Sequence, residues 1–236
     1  MNWTTGEVKE IGKRAFRINY WRCVLTAFLL TLITGGAAYG GGTWKFDGSK
    51  LVEEGKSLWE SIRTYFEQNP ASIYLIVGGS VLGIAIAVLL KIFLLNPLEV
   101  GCARFFRKNI SHPAEFKAIG EGFGDYGHVF GTLLRRDLFV WLWSLLFVIP
   151  GIIKSYSYRM VPYIIKDEPD LSAKEVLQRS KELMRGHKWH TFILDLSFLG
   201  WIILAVLTLG VLSFFWVDPY IKSTDAALYS VLKGER

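Results

Sequence analysis

The chain has 236 residues, 51% hydrophobic and 15% aromatic, with 27 Lys and Arg against 21 Asp and Glu and a net charge of +6. A mean hydropathy of +0.30 is too apolar for an ordinary water-soluble domain of this length. The basic residues cluster between uncharged runs, so they report membrane topology and argue against a nucleic-acid surface.

In chain order, Lys9, Lys13, Arg14, Arg17 and Arg22 precede an apolar run that ends in "TGGAAYGGG". The basic region is long and contains Glu7 and Glu10, which favours a retained first span over about residues 20–38 rather than a cleaved signal peptide. Segment 39–70 has four basic residues against Asp47, Glu53, Glu54, Glu60 and Glu67, making it the least cationic connector and hence external. Within it Leu51, Val52, Leu58, Trp59, Ile62, Tyr65 and Phe66 share one helical face, an amphipathic segment over 51–66 that lies on the outer membrane surface or on the protein itself. A second uncharged run gives a span over about 71–95, with Gly79, Gly83 and Ala87 forming a close-packing stripe.

Two further connectors are strongly basic: 96–136, with Arg104, Arg107, Lys108, Lys117, Arg135 and Arg136, and 166–190, with Lys166, Lys174, Arg179, Lys181, Arg185 and Lys188. Both are therefore cytosolic, and an even number of crossings separates them. The zone 130–166 reads as a hairpin of spans 130–149 and 151–166 that turns at Pro150–Gly151. Residues 191–232, at about 1.5 Å rise per residue, are long enough to cross twice, as spans 191–208 and 210–232 with a turn at Thr208–Gly210. Between these hairpins, "DLSAKEVLQRSKELMRGHK" predicts a cytosolic amphipathic helix over 171–186, capped by Asp170 and stopped at Gly186. The fold class is an all-α polytopic membrane bundle: six spans in three hairpins with surface amphipathic helices and both termini cytosolic. Cys23 and Cys102 fall on the cytosolic side and read as packing residues without a disulfide.

The last two hairpins resemble each other weakly, since "PGIIKSYSYRMVPYIIK" and "LGVLSFFWVDPYIKS" both run from a turn glycine through aromatics to Pro-Tyr-Ile. Eight residues past Gly151 lies Arg159, and eight past Gly210 lies Asp218, which suggests similar depth, about 12 Å below each turn. Ionisable residues within a span need a partner or water. Asp218, Lys222, Asp225 and Tyr229 form one stripe on the last span, and Arg159 and Asp195 are candidates to face it. One reading is a polar path or binding site centred on Arg159 and Asp218, lined by Tyr156, Tyr158 and Tyr220. The other is an ion-pair network that fixes helix register. Lys154 lies close enough to the outer turn to snorkel and Asp195 close enough to the inner surface to be solvated, so both are weaker candidates.

Soluble-enzyme motifs are not convincing. "GFGDYG" follows no buried strand, and His187 and His190 lack further ligands at metal spacing, so neither a dinucleotide nor a metal is expected. No nucleophile and base pair at a recognisable spacing is present, which argues against an enzyme and against a cofactor.

"IPGIIKSYSYRMVPYIIKDEPDLSAKEVLQRSKELMRGHKW", "LDLSFLGWIILAVLTLGVLSFFWVDPY" and "ALYSVLK" resemble the bacterial membrane-protein family catalogued as domain of unknown function 975, over about residues 95–232. The resemblance implies an integral protein of the bacterial cell membrane, commonly in Gram-positive bacteria, distantly similar to the membrane domain fused to some glycerophosphodiester phosphodiesterases. It supplies no activity. Asp218 departs from the amide expected before Pro219. Two functions follow as expectations: a transporter-like or lipid-handling protein that takes an anionic lipid or small anionic solute at Arg159, Lys154 and Lys222, or a non-catalytic scaffold or accessory subunit docked to a membrane partner. The lipid bilayer is the common partner, and no nucleic acid is expected.

Overall fold

The computed structural model describes residues 3–34, 60, 63–64, 67–146, 148–208 and 210–235, and it is all-helical, with no strand among the described residues. The chain divides into two compact units, Met1–Gly40 with Leu94–Arg236, and Gly41–Phe93. In the smaller unit α3 (Pro70–Leu90) is 21 residues long without a charged side chain, and Tyr74, Val81, Leu82 and Ile86 are exposed on it. Side chains added at Gly79 and Gly83 would meet nothing within 4 Å, so the expected close-packing stripe has no described neighbour. A π-helix, Lys91–Leu95, follows α3. The amphipathic segment expected over 51–66 lies almost entirely outside the described residues.

The larger unit begins with α1 (Thr5–Ile18), a helix within the charged flank of the expected first span. Thr4 caps it by accepting from the Glu7 amide at 3.2 Å. Val8, Gly12, Ala15 and Phe16 recur at helical spacing and are buried. Gly12 lets α1 cross the last helix closely, because a Cβ there would lie 2.7 Å from Thr224 Cα. The chain turns at Asn19, whose amide donates to Asn109 Oδ1 and the Ala114 carbonyl, each at 2.8 Å, and continues as α2 (Tyr20–Thr34).

Helix α4 (Asn96–Ser111) falls in a segment for which no element was expected. Residues 96–111 belong to the expected cytosolic connector, yet Val100, Gly101, Cys102, Phe105, Phe106 and Asn109 are buried, and α1, α2 and the later helices pack around them. A short α5 (Lys117–Gly120) leads to α6 (Tyr126–Leu146) and α7 (Val148–Ser157), which lie against each other. Helix α6 ends at Leu146 and α7 begins at Val148, so Pro150–Gly151, where a turn was expected, sit in the first turn of α7. That first turn tolerates Pro150 because no intrahelical donor is lost there. Gly151 instead permits contact with α6, since a Cβ would lie 2.7 Å from Ser144 Cα.

The second arm is broken at residues 158–160 before α8 (Val161–Asp167), with Pro162 in its first turn. Helix α9 (Ala173–Leu183) fulfils the expected amphipathic helix, although its cap is Ser172, in a capping box with Glu175, and not Asp170. Gly186, at φ +79°, stops it as expected. Helices α10 (Lys188–Leu196) and α11 (Leu199–Leu207) follow, interrupted at residues 197–198. Gly210, at φ +85°, follows the end of α11. Beyond it a π-helix, Ser213–Val217, runs into α12 (Asp218–Lys233). Among the described residues one helical run, Lys188–Leu207, is long and apolar enough to cross a membrane, and only 22% of it is buried in the protein.

Candidate functional site

Helices α8 and α12 are joined by three rungs spaced four residues apart on each. Arg159, at the break just before α8, donates to Asp225 Oδ1 at 2.6 Å. One turn on, Tyr163 and Tyr229 stack with ring centroids 5.4 Å apart. One turn further, Lys233 donates to Asp167 Oδ2 at 3.0 Å. Equal steps of four on both strands of this ladder mean that the two segments run parallel and in register.

The first rung extends sideways. Arg159 also grips Asp195 of α10 with both terminal nitrogens, Nη1 to Oδ2 at 2.6 Å and Nη2 to Oδ1 at 2.8 Å. Tyr156 donates its hydroxyl to Asp195 Oδ2 at 2.7 Å, and its ring lies 5.7 Å from the guanidinium. This bidentate geometry orients the planar cation between two carboxylates. The Asp225 side chain is 13% exposed and the Asp195 side chain 34%, so one carboxylate is enclosed and the other faces outward. One cation between two carboxylates carries an excess of one negative charge. The backbone is interrupted at Arg159 itself and two residues beyond Asp195.

Asp218 is elsewhere. It accepts from Ser213 Oγ at 2.9 Å and Thr31 Oγ1 at 3.3 Å, between α2 and the π-helix, and the expected Arg159–Asp218 pair is corrected to Arg159–Asp225 with Asp195. Gly151 and Gly210 do not stand at matching distances from the pair, because Arg159 lies eight residues past Gly151 whereas Asp225 lies fifteen past Gly210. Tyr158 is buried, with Lys181 5.5 Å from its ring. Tyr220 packs edge-on against Phe198, and Lys9 sits over both rings while donating to the Ser197 carbonyl at 3.3 Å. Lys9 thereby satisfies a carbonyl at the 197–198 interruption. Lys154 lies 4.6 Å from the Trp143 ring. Lys222 is half-buried and has no described carboxylate within ion-pair distance. The expected cationic trio of Arg159, Lys154 and Lys222 is not assembled in one place.

Two networks went unanticipated. Arg136 on α6 pairs with Glu99 on α4 at 2.6 and 3.2 Å, through residues 37 apart in sequence with no local signal linking them. Beyond the ladder's last rung, Asp167 also receives Arg104 at 2.6 Å and Arg107 at 3.2 Å, and Glu121 receives Arg104 and Lys108. Burial acts to raise both carboxyls, but these hydrogen bonds and charges outweigh it and hold Asp167 and Glu121 below the usual carboxylate range. Burial pushes the Cys102 thiol up to about 12, reinforced by Glu99, and Cys23 is likewise buried and unpaired. His187 and His190 pack on Trp3, which donates to His187 Nδ1 at 3.1 Å. Among the described residues no group of three His, Cys, Asp or Glu could hold a metal.

Residues 127–236, just under half of the chain, match the family described as "Protein of unknown function (DUF975)". The matched stretch holds α6 to α12 and thus every side chain of the Arg159 cluster. No curated protein and no solved structure matches the chain.

Proposed function

We propose that the whole chain is a DUF975-type multi-pass protein of the bacterial cell membrane with both termini cytosolic, and that it is transporter-like, with its polar site at Arg159, Asp195, Asp225 and Tyr156. Six crossings are supported by α2, α3, α6, α7 with α8, α10 with α11, and the segment from Val211 through α12. Wide apolar exposure supports them too, including Leu138, Trp141 and Leu145 on α6, Ile149 and Ile152 on α7, and Ile203 and Leu207 on α11.

The observation that carries the transport reading is the coincidence of an ionic cluster with two interrupted helices. Broken helices beside buried charge are how membrane proteins expose backbone and side-chain groups to a solute. The excess negative charge favours a small solute with a positive group, and an anionic one would have to displace Asp195 from Arg159. Proteoliposomes on a supported membrane, challenged with sodium, potassium and choline, test this. A charge movement for one of these cations that Asp195→Asn abolishes is expected; no current with any of them, from protein that is inserted, would sink the reading.

The ladder favours a second reading, a scaffold or accessory subunit. Three rungs fix α8 against α12 and use Arg159 and Asp225 for register. Co-purification from native membranes that recovers only the free protomer counts against it.

A further inference from the structure

The exposed face of α1 runs through Glu10, Arg14 and Arg17, changes character at Ile18, and continues on α2 as Trp21, Leu25 and Phe28. Trp21 is 65% exposed and Ile18 64%. Charge gives way to large apolar side chains within one helical turn. The opposite face of α1 is fixed by Val8, Phe16 and the close Gly12–Thr224 crossing, so this outward face cannot rotate inward.

The loop before α5 meets the same corner. The Ala114 carbonyl accepts from Asn19 and, at 3.1 Å, from Arg22, whose guanidinium lies 5.9 Å from the exposed Phe116 ring. Lys117 follows and is exposed, with Glu115 the acidic neighbour. Arg17, Arg22 and Lys117 thus outnumber the nearby acid beside a tryptophan on an apolar ledge. Arginine forks suit phosphate oxygens, and amphipathic tryptophan suits the headgroup boundary.

We propose that this corner binds an anionic phospholipid of the cytosolic leaflet, its phosphate against Arg17 and Arg22 and its acyl chain along Trp21, Leu25 and Phe28. The proposal rests on the membrane reading above and places the anionic-lipid contact away from Arg159.

Thermal unfolding in nanodiscs of phosphatidylcholine, with and without phosphatidylglycerol, is the test. Phosphatidylglycerol is expected to raise the unfolding temperature by several degrees, and high salt to shrink that shift. Arg17→Gln, at an exposed site that leaves the fold intact, should lose at least half of the shift, and Arg22→Gln should do the same. Lys174→Gln, an equal charge change at an exposed position of α9, should keep it. An equal unfolding temperature in both lipids overturns the proposal, as does an equal loss in Lys174→Gln, or a shift reproduced by inorganic phosphate in phosphatidylcholine alone. Alkaline carbonate extraction separates the two claims. Protein that stays in the bilayer but shows no lipid-dependent shift sinks this proposal alone, whereas protein that washes out sinks the membrane reading with it.

Discussion

Arg159 is held between one carboxylate that the ladder fixes and one that it does not. Asp225→Asn should destabilise the protein in detergent by about 1.5–3 kcal/mol, because it removes an enclosed charged hydrogen bond. Asp195→Asn should cost distinctly less, since that carboxylate is more exposed and its interaction is screened. Equal losses would mean that the two sides of Arg159 are equivalent. The acid limb of stability belongs to Glu121 and Asp167. Both are held below their ordinary values, so their contribution is fully present above the usual carboxylate pKa of about 4 and is lost as pH falls through their folded values. Glu121→Gln should flatten unfolding midpoints measured across that acid range, and an unchanged profile would contradict the network. That Arg159 needed a partner is legible in the sequence, but which partner is not legible from the turns. Counting back eight from the oppositely charged ends of the two segments, Asp167 to Arg159 and Lys233 to Asp225, finds the pair that counting forward from the glycines misses.

Element positions were readable where one physical signal dominated. The helix over the long uncharged run, α3, and the amphipathic α9 both lie within their expected segments. Helices α1 and α4 are hidden in the sequence because their charges also carry the topology signal. In α1 the basic residues occupy the outward face while Val8, Gly12, Ala15 and Phe16 make an apolar stripe, and in α4 Val100, Phe105 and Phe106 are buried on a helix that also carries Arg104, Arg107 and Lys108. A basic segment can be cytosolic and still pack inward. The breaks at 158–160 and 197–198 had no comparable signal beyond Pro162, since a cation on α1, Lys9, satisfies part of the second one from far away in sequence. Gly12→Leu should push α1 off Thr224 and cost about 1–3 kcal/mol, the usual range for overpacking a tight contact. Gly6→Ala, with open space around its Cβ, should leave unfolding unchanged or slightly improved. Matched effects at Gly6 and Gly12 would remove the case for that crossing.

For the molecule as a whole, large apolar side chains face outward on α2, α3, α6, α7, α10 and α11, while the ionic networks are turned toward protein partners. In water this distribution would invite aggregation, and in a bilayer each part has a solvent that suits it. The charge arithmetic that requires an even number of crossings between two basic connectors remains the argument for six spans. Topology is therefore the central claim, and impermeant-maleimide labelling of single cysteines in intact and opened cells tests it. Cys23 and Cys102 should stay silent, being buried, with the Cys102 thiol pushed up to about 12. Thr208→Cys, near Gly210, is expected to react in intact cells, and Lys174→Cys, at an exposed position of α9, only after the membrane is opened. Labelling of both positions from the same side would contradict the account.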